Sequence, residues 1–233
     1  MTTLAKLTTV ETKLLVREPG SVFALLIPLF ILVVFGSAIT EGDTFIMPMA
    51  VSYGIAMVGI YLLPTTLATY RERGILRRLS VTPVRPSNLL TVQILLQLAL
   101  AVFAVSLLLV VGIGFFGAHA PSAVWFLAVF VLGTAAMFSI GLLIASLCTN
   151  GRSANGIGVL LFFPLAYLGG LMQPVEHMPA ILAPASGYTP LGALRQSLQD
   201  VWSGVVPAPL ALVTMAVYAL VLSFAAARFF RWE

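Results

Sequence analysis

Long runs of apolar residues, separated by short polar segments, are the main feature of the chain. A helix needs about 20 consecutive apolar residues to cross the hydrocarbon core of a bilayer, and six runs approach or exceed this length. The pattern therefore predicts six transmembrane helices, at residues 22–39, 46–70, 88–116, 124–147, 154–172 and 210–227.

Two of these assignments rest on further arguments. The small residues Gly36, Ser37 and Ala38 would also suit the cleavage site of a signal peptide. The region before the first run is long and mixed in charge, however, which favours a retained helix. The uncharged stretch between Arg85 and Arg152 is too long for one helix, and turn-forming residues divide it into the third and fourth spans.

The segment between the last two runs, residues 173–208, is rich in proline and glycine but still apolar. Five apolar residues in it recur at helical spacing and form one face of a helix. We expect short external helices that lie on the membrane surface or dip into it. The face consists of Leu191, Leu194, Leu198, Val201 and Trp202.

Composition supports an all-α integral membrane protein. Of 233 residues, 60% are hydrophobic and 9% are charged, whereas a soluble domain carries about 25% charged residues. The net charge of +4 arises from basic residues beside apolar runs, which indicates membrane orientation rather than nucleic-acid binding. The single cysteine, Cys148, excludes an internal disulfide.

The distribution of basic residues predicts the orientation. With six spans, Arg195 is the only one of the 12 Lys and Arg residues that lies on the opposite side from the rest. Positive residues stay in the cytoplasm, so we expect a multi-pass protein of the cytoplasmic membrane with both termini inside. The acidic residues Glu176 and Asp200 share the outer side with Arg195, and either is a candidate to pair with it. Binding of lipid headgroups and a role in gating the substrate are the alternatives for Arg195.

The N-terminal residues 3–18 place Leu4, Leu7, Val10 and Leu14 near helical spacing among basic residues. This pattern predicts a helix in the cytoplasmic interface. A plain charged flank is the alternative.

Residues 71–86 connect the second and third spans and contain five arginines. One interpretation is an electrostatic anchor, because each arginine near an anionic membrane surface adds about 1 kcal/mol of attraction. The segment also contains a compact apolar set and a stop at Thr82-Pro83. A short helix with a basic and an apolar face, at about residues 71–83, would suit docking of a soluble partner. The apolar set is Ile75, Leu76 and Leu79.

Residues 72–79, followed by Thr82-Pro83, resemble the coupling-helix signature of type-2 ABC exporter permeases. Residues 187–191, with Leu194-Arg195, are similar to the pattern that precedes the last span in that family. The likeness is closest to short drug-exporter permeases similar to daunorubicin-resistance proteins. Ile75 stands where threonine is usual, and Gly187-Tyr188 precedes Thr189-Pro190 in place of the common asparagine.

This resemblance implies that the coupling helix contacts a separate ATPase subunit, and that a second permease subunit completes the transporter as a homodimer or a heterodimer. The implied coupling residues are Arg71, Glu72, Arg73, Gly74, Ile75, Leu76, Arg77, Arg78, Leu79, Thr82 and Pro83. The residues implied for the external segment are Pro174, Pro179, Tyr188, Pro190 and Arg195.

We expect no catalytic activity and no cofactor in this chain itself. A phosphate-binding loop needs Gly-Lys-Ser/Thr, and the two lysines, Lys6 and Lys13, follow alanine and threonine. ATP and Mg²⁺ would therefore be bound by the partner ATPase. An intramembrane serine or metalloprotease is disfavoured because His119 and His177 lie on the opposite side from Ser153 and no His-Glu-x-x-His is present.

The predicted spans carry no charged residue that would mark a substrate path. A hydrophobic or amphipathic substrate, such as a drug, an antibiotic or a lipid, would suit such a path, with export implied only by the resemblance. A secondary transporter or channel of six spans is the alternative. The polar candidates for the path, each also able to form helix–helix hydrogen bonds, are Tyr53, Tyr61, Gln93, Gln97, Thr134 and Tyr167.

Overall fold

The computed structural model describes residue 12 and residues 18–39, 43–74 and 86–229, and this part of the chain contains helices and no strands. The all-α class is therefore confirmed. Two 3₁₀ turns, Val175–His177 and Ala183–Tyr188, precede the sixth helix. The helices are α1 (Pro19–Gly36), α2 (Ile46–Glu72), α3 (Pro86–Phe116), α4 (Ala123–Leu147), α5 (Gly151–Leu168), α6 (Pro190–Trp202) and α7 (Pro209–Phe229).

Each of the six predicted spans coincides with one helix. By length and composition, α2, α3, α4 and α7 can cross a membrane. At 18 residues each, α1 and α5 extend about 27 Å, slightly less than the hydrocarbon core of about 30 Å. The fifth helix ends at Leu168 rather than at residue 172, and the second continues to Glu72. The predicted N-terminal interfacial helix and residues 75–83 lie outside the described residues.

The second helix forms the centre of the bundle. Its apolar window is 89% buried, compared with 22% for α7 and 33% for α3. Large apolar side chains such as Phe30, Phe115 and Phe224 point outward instead, as expected where the solvent is lipid. We call the end of the bundle where α2 ends and α5 begins the basic end, because Arg71, Arg73 and Arg152 lie there.

Glycines bring α4 and α5 into backbone contact with α2. A Cβ atom added at Gly141 of α4 would overlap the carbonyl of Gly59, and one added at Gly158 of α5 would lie 2.6 Å from the carbonyl oxygen of Ile60. The contacted part of α2, Met57–Leu62, is π-helical. Pro64 has no N–H to donate to the Ile60 carbonyl four residues earlier, so the helix cannot continue there with regular α-helical bonding.

The sixth helix dips into the bundle instead of lying on its surface. Its predicted apolar face is buried, and Leu194 fills the space above Gly133. Gly133 lies ten residues, or about 15 Å, along α4 from Ala123. Trp202 packs edge-on against Phe126, near the start of α4, with ring centroids 5.6 Å apart. The helix therefore begins inside the bundle and ends at the face opposite the basic end.

Candidate functional site

An apolar groove of 560 Å³ opens between α1, α2 and α5. Among the described residues that line it, the hydroxyl groups of Tyr53 and Tyr61 are the only side-chain polar groups, and none of these residues is charged. The ring centroids of Tyr53 and Phe162 lie 5.6 Å apart, and the two ring planes are inclined at 52° to each other. The lining residues are Phe23, Ile27, Ile31, Tyr53, Met57, Tyr61, Val159, Phe162 and Phe163.

A second cavity of 530 Å³ shares Ile31 and Tyr53 with this groove. It continues along α1 and the first turns of α2 to the irregular segment after α5, where Gln173 and Pro174 line it. The two cavities together form one apolar surface that runs from Tyr61 to the end of the bundle opposite the basic end. Such a concave, mostly apolar site with few polar groups is typical of a small-molecule binding site.

The structure brings together only some of the predicted path residues. Tyr53 and Tyr61 line the groove. Gln93, Gln97 and Thr134 are buried among packed helices and line neither cavity. The Tyr167 hydroxyl accepts a hydrogen bond of 3.0 Å from Gln173 Nε2, beside the second cavity.

The apolar part of the groove was missed by sequence reasoning. An apolar side chain in a span gives the same signal whether it faces lipid, the protein core or a cavity. Phe162 and Phe163 immediately precede Pro164 within α5, and this aromatic pair beside a proline is the one local feature of the sequence that marks the groove.

Arg71 and Glu72, the last residues of α2, contact two different helix ends. Arg71 Nη1 donates hydrogen bonds to the carbonyl oxygens of Ala145, at 3.2 Å, and Cys148, at 2.9 Å. Glu72 Oε2 accepts a hydrogen bond of 3.0 Å from the backbone N–H of Gly151. The positive charge of Arg71 thus lies at the C-terminal end of α4, and the negative charge of Glu72 lies at the N-terminal end of α5. Each charge is opposite in sign to the helix-dipole end that it contacts.

Burial raises the pKa of two other side chains at the basic end, Glu18 and Cys148. Burial raises the pKa of Glu18, just before α1, while Arg73 and a hydrogen bond with Thr66 oppose this shift. The Cys148 thiol is free and buried, and burial raises its pKa while Arg71 lowers it. Of the predicted coupling residues, only residues 71–74 are described, and residues 75–83 lie outside the described part.

The external segment is organised around a buried Arg195, which is only 6% exposed. Its Nε donates a hydrogen bond of 2.8 Å to the carbonyl of Gly169, just after α5, and its Nη1 donates one of 2.6 Å to Gln199 Oε1. Asp200 accepts a hydrogen bond from the Ala208 N–H, and the charges of Glu176 and Asp200 also interact with that of Arg195. Arg195 therefore joins α6 to the end of α5, and its burial does not suit binding of lipid headgroups.

The other predicted residues of this segment have different surroundings. Pro174 lines the second cavity, and Tyr188 is exposed. Pro190 opens α6, where the Thr189 hydroxyl accepts a hydrogen bond of 3.1 Å from the Gly192 N–H. Pro179 accepts hydrogen bonds from two following backbone N–H groups in a turn.

Within residues 18–39, 43–74 and 86–229, no group of three or more His, Cys, Asp or Glu side chains is placed to hold a metal ion.

Comparison with known proteins identifies a family. A sequence model of the ABC-2 type transporter family matches residues 3–201. In Escherichia coli K12, the probable multidrug ABC transporter permease YbhR is 28% identical over 176 residues, covering 70% of this chain and 47% of YbhR. The probable multidrug ABC transporter permease YbhS from the same strain is 25% identical over 186 residues, covering 77% of this chain and 48% of YbhS. The chain thus spans about half the length of these relatives.

Proposed function

Because the chain belongs to the ABC-2 type transporter family, we propose that it is the membrane-spanning permease subunit of an ATP-driven exporter. It contributes no catalysis of its own. A separate ATPase subunit binds ATP and Mg²⁺ and acts on residues 71–83. The protein lies in the cytoplasmic membrane with both termini and this segment in the cytoplasm, as the positions of its basic residues support.

The apolar groove is the main observation that supports a particular class of substrate. It lies in the part of the bundle formed by α1, α2 and α5, and two tyrosine hydroxyls are the only polar side-chain groups among the described residues that line it. A charged or strongly hydrated substrate would lose its water here without gaining a partner. The substrate is therefore a hydrophobic or amphipathic molecule, such as a drug, an antibiotic or a lipid-like compound. The names of YbhR and YbhS, which both include the word multidrug, support the same class.

The second proposed partner is another permease subunit, with a copy of this chain as the simplest choice. Phe23 on α1 and Phe163 on α5 are each 55% exposed, and both line the open groove. A second copy placed against α1 and α5 would enclose the groove in a transport path between the two subunits. ATP-driven movement of residues 71–83 would then change which end of this path is open.

Docking of the ATPase is tested by Leu76→Asp and Arg77→Asp. The aspartate would place a charge in the apolar set of the docking segment, or reverse the charge beside it, and we expect at least about a tenfold loss of ATPase recovered with the permease, equivalent to ~1.4 kcal/mol. The measurement is co-purification from membranes, together with transport of a hydrophobic dye into inverted vesicles. Normal recovery and transport in both variants would remove the coupling role. Transport without any ATPase would favour a secondary transporter or channel.

Filling the groove should block transport without disturbing assembly. Val159 lines the groove, while its neighbour Leu160 is 71% exposed and lines neither cavity. We expect Val159→Trp to lower dye transport about tenfold or more, because the indole would occupy space in the groove that the substrate needs, and a loss of ~1.4 kcal/mol in substrate binding corresponds to this factor. Leu160→Trp is the matched control and should transport normally. Equal transport by the two variants would contradict a role of the groove in the substrate path.

A further inference from the structure

The end of α2 holds the turn between α4 and α5 from both sides. This turn consists of only Cys148, Thr149 and Asn150, between the end of α4 and the start of α5. Carbonyls in the last turn of a helix and N–H groups in its first turn have no partner within the helix. Arg71 donates hydrogen bonds to carbonyl oxygens at the end of α4, and Glu72 accepts a hydrogen bond from the first N–H group of α5.

Packing brings the same two helices together. A Cβ atom added at Gly151, the first residue of α5, would overlap Thr69 Oγ1 and would lie 3.5 Å from the Thr65 carbonyl oxygen. The start of α5 therefore lies directly on the last two turns of α2. Because Gly151 also donates to Glu72, a displacement of the end of α2 cannot leave α5 behind without breaking both contacts.

The position of this contact in the chain suggests its use. Gly74, with φ of +64°, ends the helical path of α2, and the remaining coupling residues follow it. In the other direction, α5 continues from Gly151 to the groove residues Val159 and Phe162. The Arg71–Glu72 pair thus stands between the segment on which the ATPase is proposed to act and one wall of the groove.

We propose that Arg71 and Glu72 are positioning residues that clamp the α4–α5 turn to the end of α2, so that movement of the segment after Gly74 is transmitted to α5. This inference rests on the proposed function for the source of the movement. Within the segment 71–83 the ATPase would then contact the residues after Gly74, whereas Arg71 and Glu72 would pass the movement on to α5 instead of touching the ATPase.

The single cysteine of the chain provides a direct probe. Cys148 lies in the clamped turn, its thiol is buried, and its carbonyl oxygen accepts a hydrogen bond from Arg71. Alkylation by N-ethylmaleimide, read as a mass shift of this chain, therefore reports opening of the turn without an introduced cysteine.

The experiment compares Arg71→Gln and Glu72→Ala with the wild type in membranes that contain the permease and its ATPase. We expect Cys148 to be alkylated about tenfold faster in both variants, since loss of ~1.4 kcal/mol from local stability raises the open population by this factor. Arg71→Lys, which keeps a charged donor, should restore part of the protection. Arg152→Gln is the matched control, because it removes an exposed positive charge from the same end, and its alkylation rate should equal that of the wild type.

A second measurement separates transmission from local stability. Trapping the complex with Mg-ATP and vanadate should change the alkylation rate of Cys148 in the wild type. The change should be absent in Glu72→Ala even though the ATPase still co-purifies. A wild-type rate in both variants, or a nucleotide effect preserved in Glu72→Ala, would overturn the clamp. So would loss of the ATPase from Glu72→Ala with unchanged alkylation, because Glu72 would then contact the ATPase. If no ATPase accompanies the wild type, the proposed function fails, while the alkylation rates still decide whether the clamp exists.

Discussion

Replacing Gly141 by alanine is expected to prevent normal packing of α4 against α2. The added methyl group would overlap the backbone carbonyl of Gly59, and a backbone atom cannot rotate away as a side chain can. Overpacking of a well-packed interior costs ~1–3 kcal/mol and occasionally more, and we expect the upper end of this range or no folded protein. The measurements are the yield of monodisperse protein in detergent and the temperature at which it unfolds.

Two further glycines keep this prediction testable if Gly141→Ala yields no protein. Gly158→Ala places its methyl group 2.6 Å from the Ile60 carbonyl oxygen, whereas Gly156 in the same helix has no neighbouring atom within 4 Å. We expect Gly158→Ala to unfold about 2–12 °C below the wild type, since overpacking costs ~1–3 kcal/mol and 1 kcal/mol corresponds to ~2–4 °C in a protein of this size. Gly156→Ala should be neutral or slightly stabilising, because alanine is the better helix former. Identical unfolding temperatures for the two variants would contradict the close packing of α5 on α2.

Replacing Arg195 by methionine is expected to have the second large effect. The guanidinium is buried, and its loss removes the donor from the Gly169 carbonyl and from Gln199. It also leaves the negative charges of Asp200 and Glu176, which interact with Arg195, without compensation. Leaving a buried acceptor without its donor costs ~1–3 kcal/mol for each group, and two acceptors lose their donor here, so we expect unfolding on the order of 10 °C below the wild type. Gln196→Met is the matched control, because Gln196 is the next residue of α6 and is exposed.

The decrease in unfolding temperature caused by Arg195→Met should also depend on pH. Burial raises the pKa of Asp200, and both Arg195 and the Ala208 N–H oppose this shift, so removing Arg195 raises the pKa further. A carboxyl group whose pKa is higher in the folded than in the unfolded state stabilises the fold most below the unfolded value, about 3.9 for aspartate. This stabilisation is lost as the pH rises through the folded pKa. The difference in unfolding temperature between Arg195→Met and the wild type should therefore be smaller at about pH 4 than at pH 7. A constant difference would mean that Asp200 does not sense Arg195.

The class of the fold and the positions of its helices follow from the sequence because lipid imposes a simple rule. Apolar runs of membrane length must form helices, and the boundaries of α4 and α7 agree with the predicted ones to within about two residues. The predicted apolar face of α6 is also its buried face. The sequence does not predict how deeply α6 enters the bundle, because apolar residues at this spacing could face either lipid or other helices.

The candidate site was predicted less completely, since its chemistry is not carried by rare residue types. Polar residues drew attention to Gln93 and Gln97, yet both are packed inside the bundle, and the groove consists mainly of ordinary apolar residues of α1 and α5. The motif that includes Arg71 and Glu72 is evident in the sequence, but their partners Cys148 and Gly151 lie more than 70 residues away. No local pattern can show a contact of that range.

The π-helical segment Met57–Leu62 determines how the two parts of α2 are rotated relative to each other. A π-helical segment behaves as a helix with one inserted residue, and each residue of an α-helix turns the chain by about 100°. Met57–Leu62 therefore sets the angular register between Tyr53 on one side and Arg71 on the other. Deleting a single residue there and restoring regular winding would leave every side chain present. It would nevertheless rotate Tyr53 and the groove by about 100° relative to Arg71 at the end of the helix.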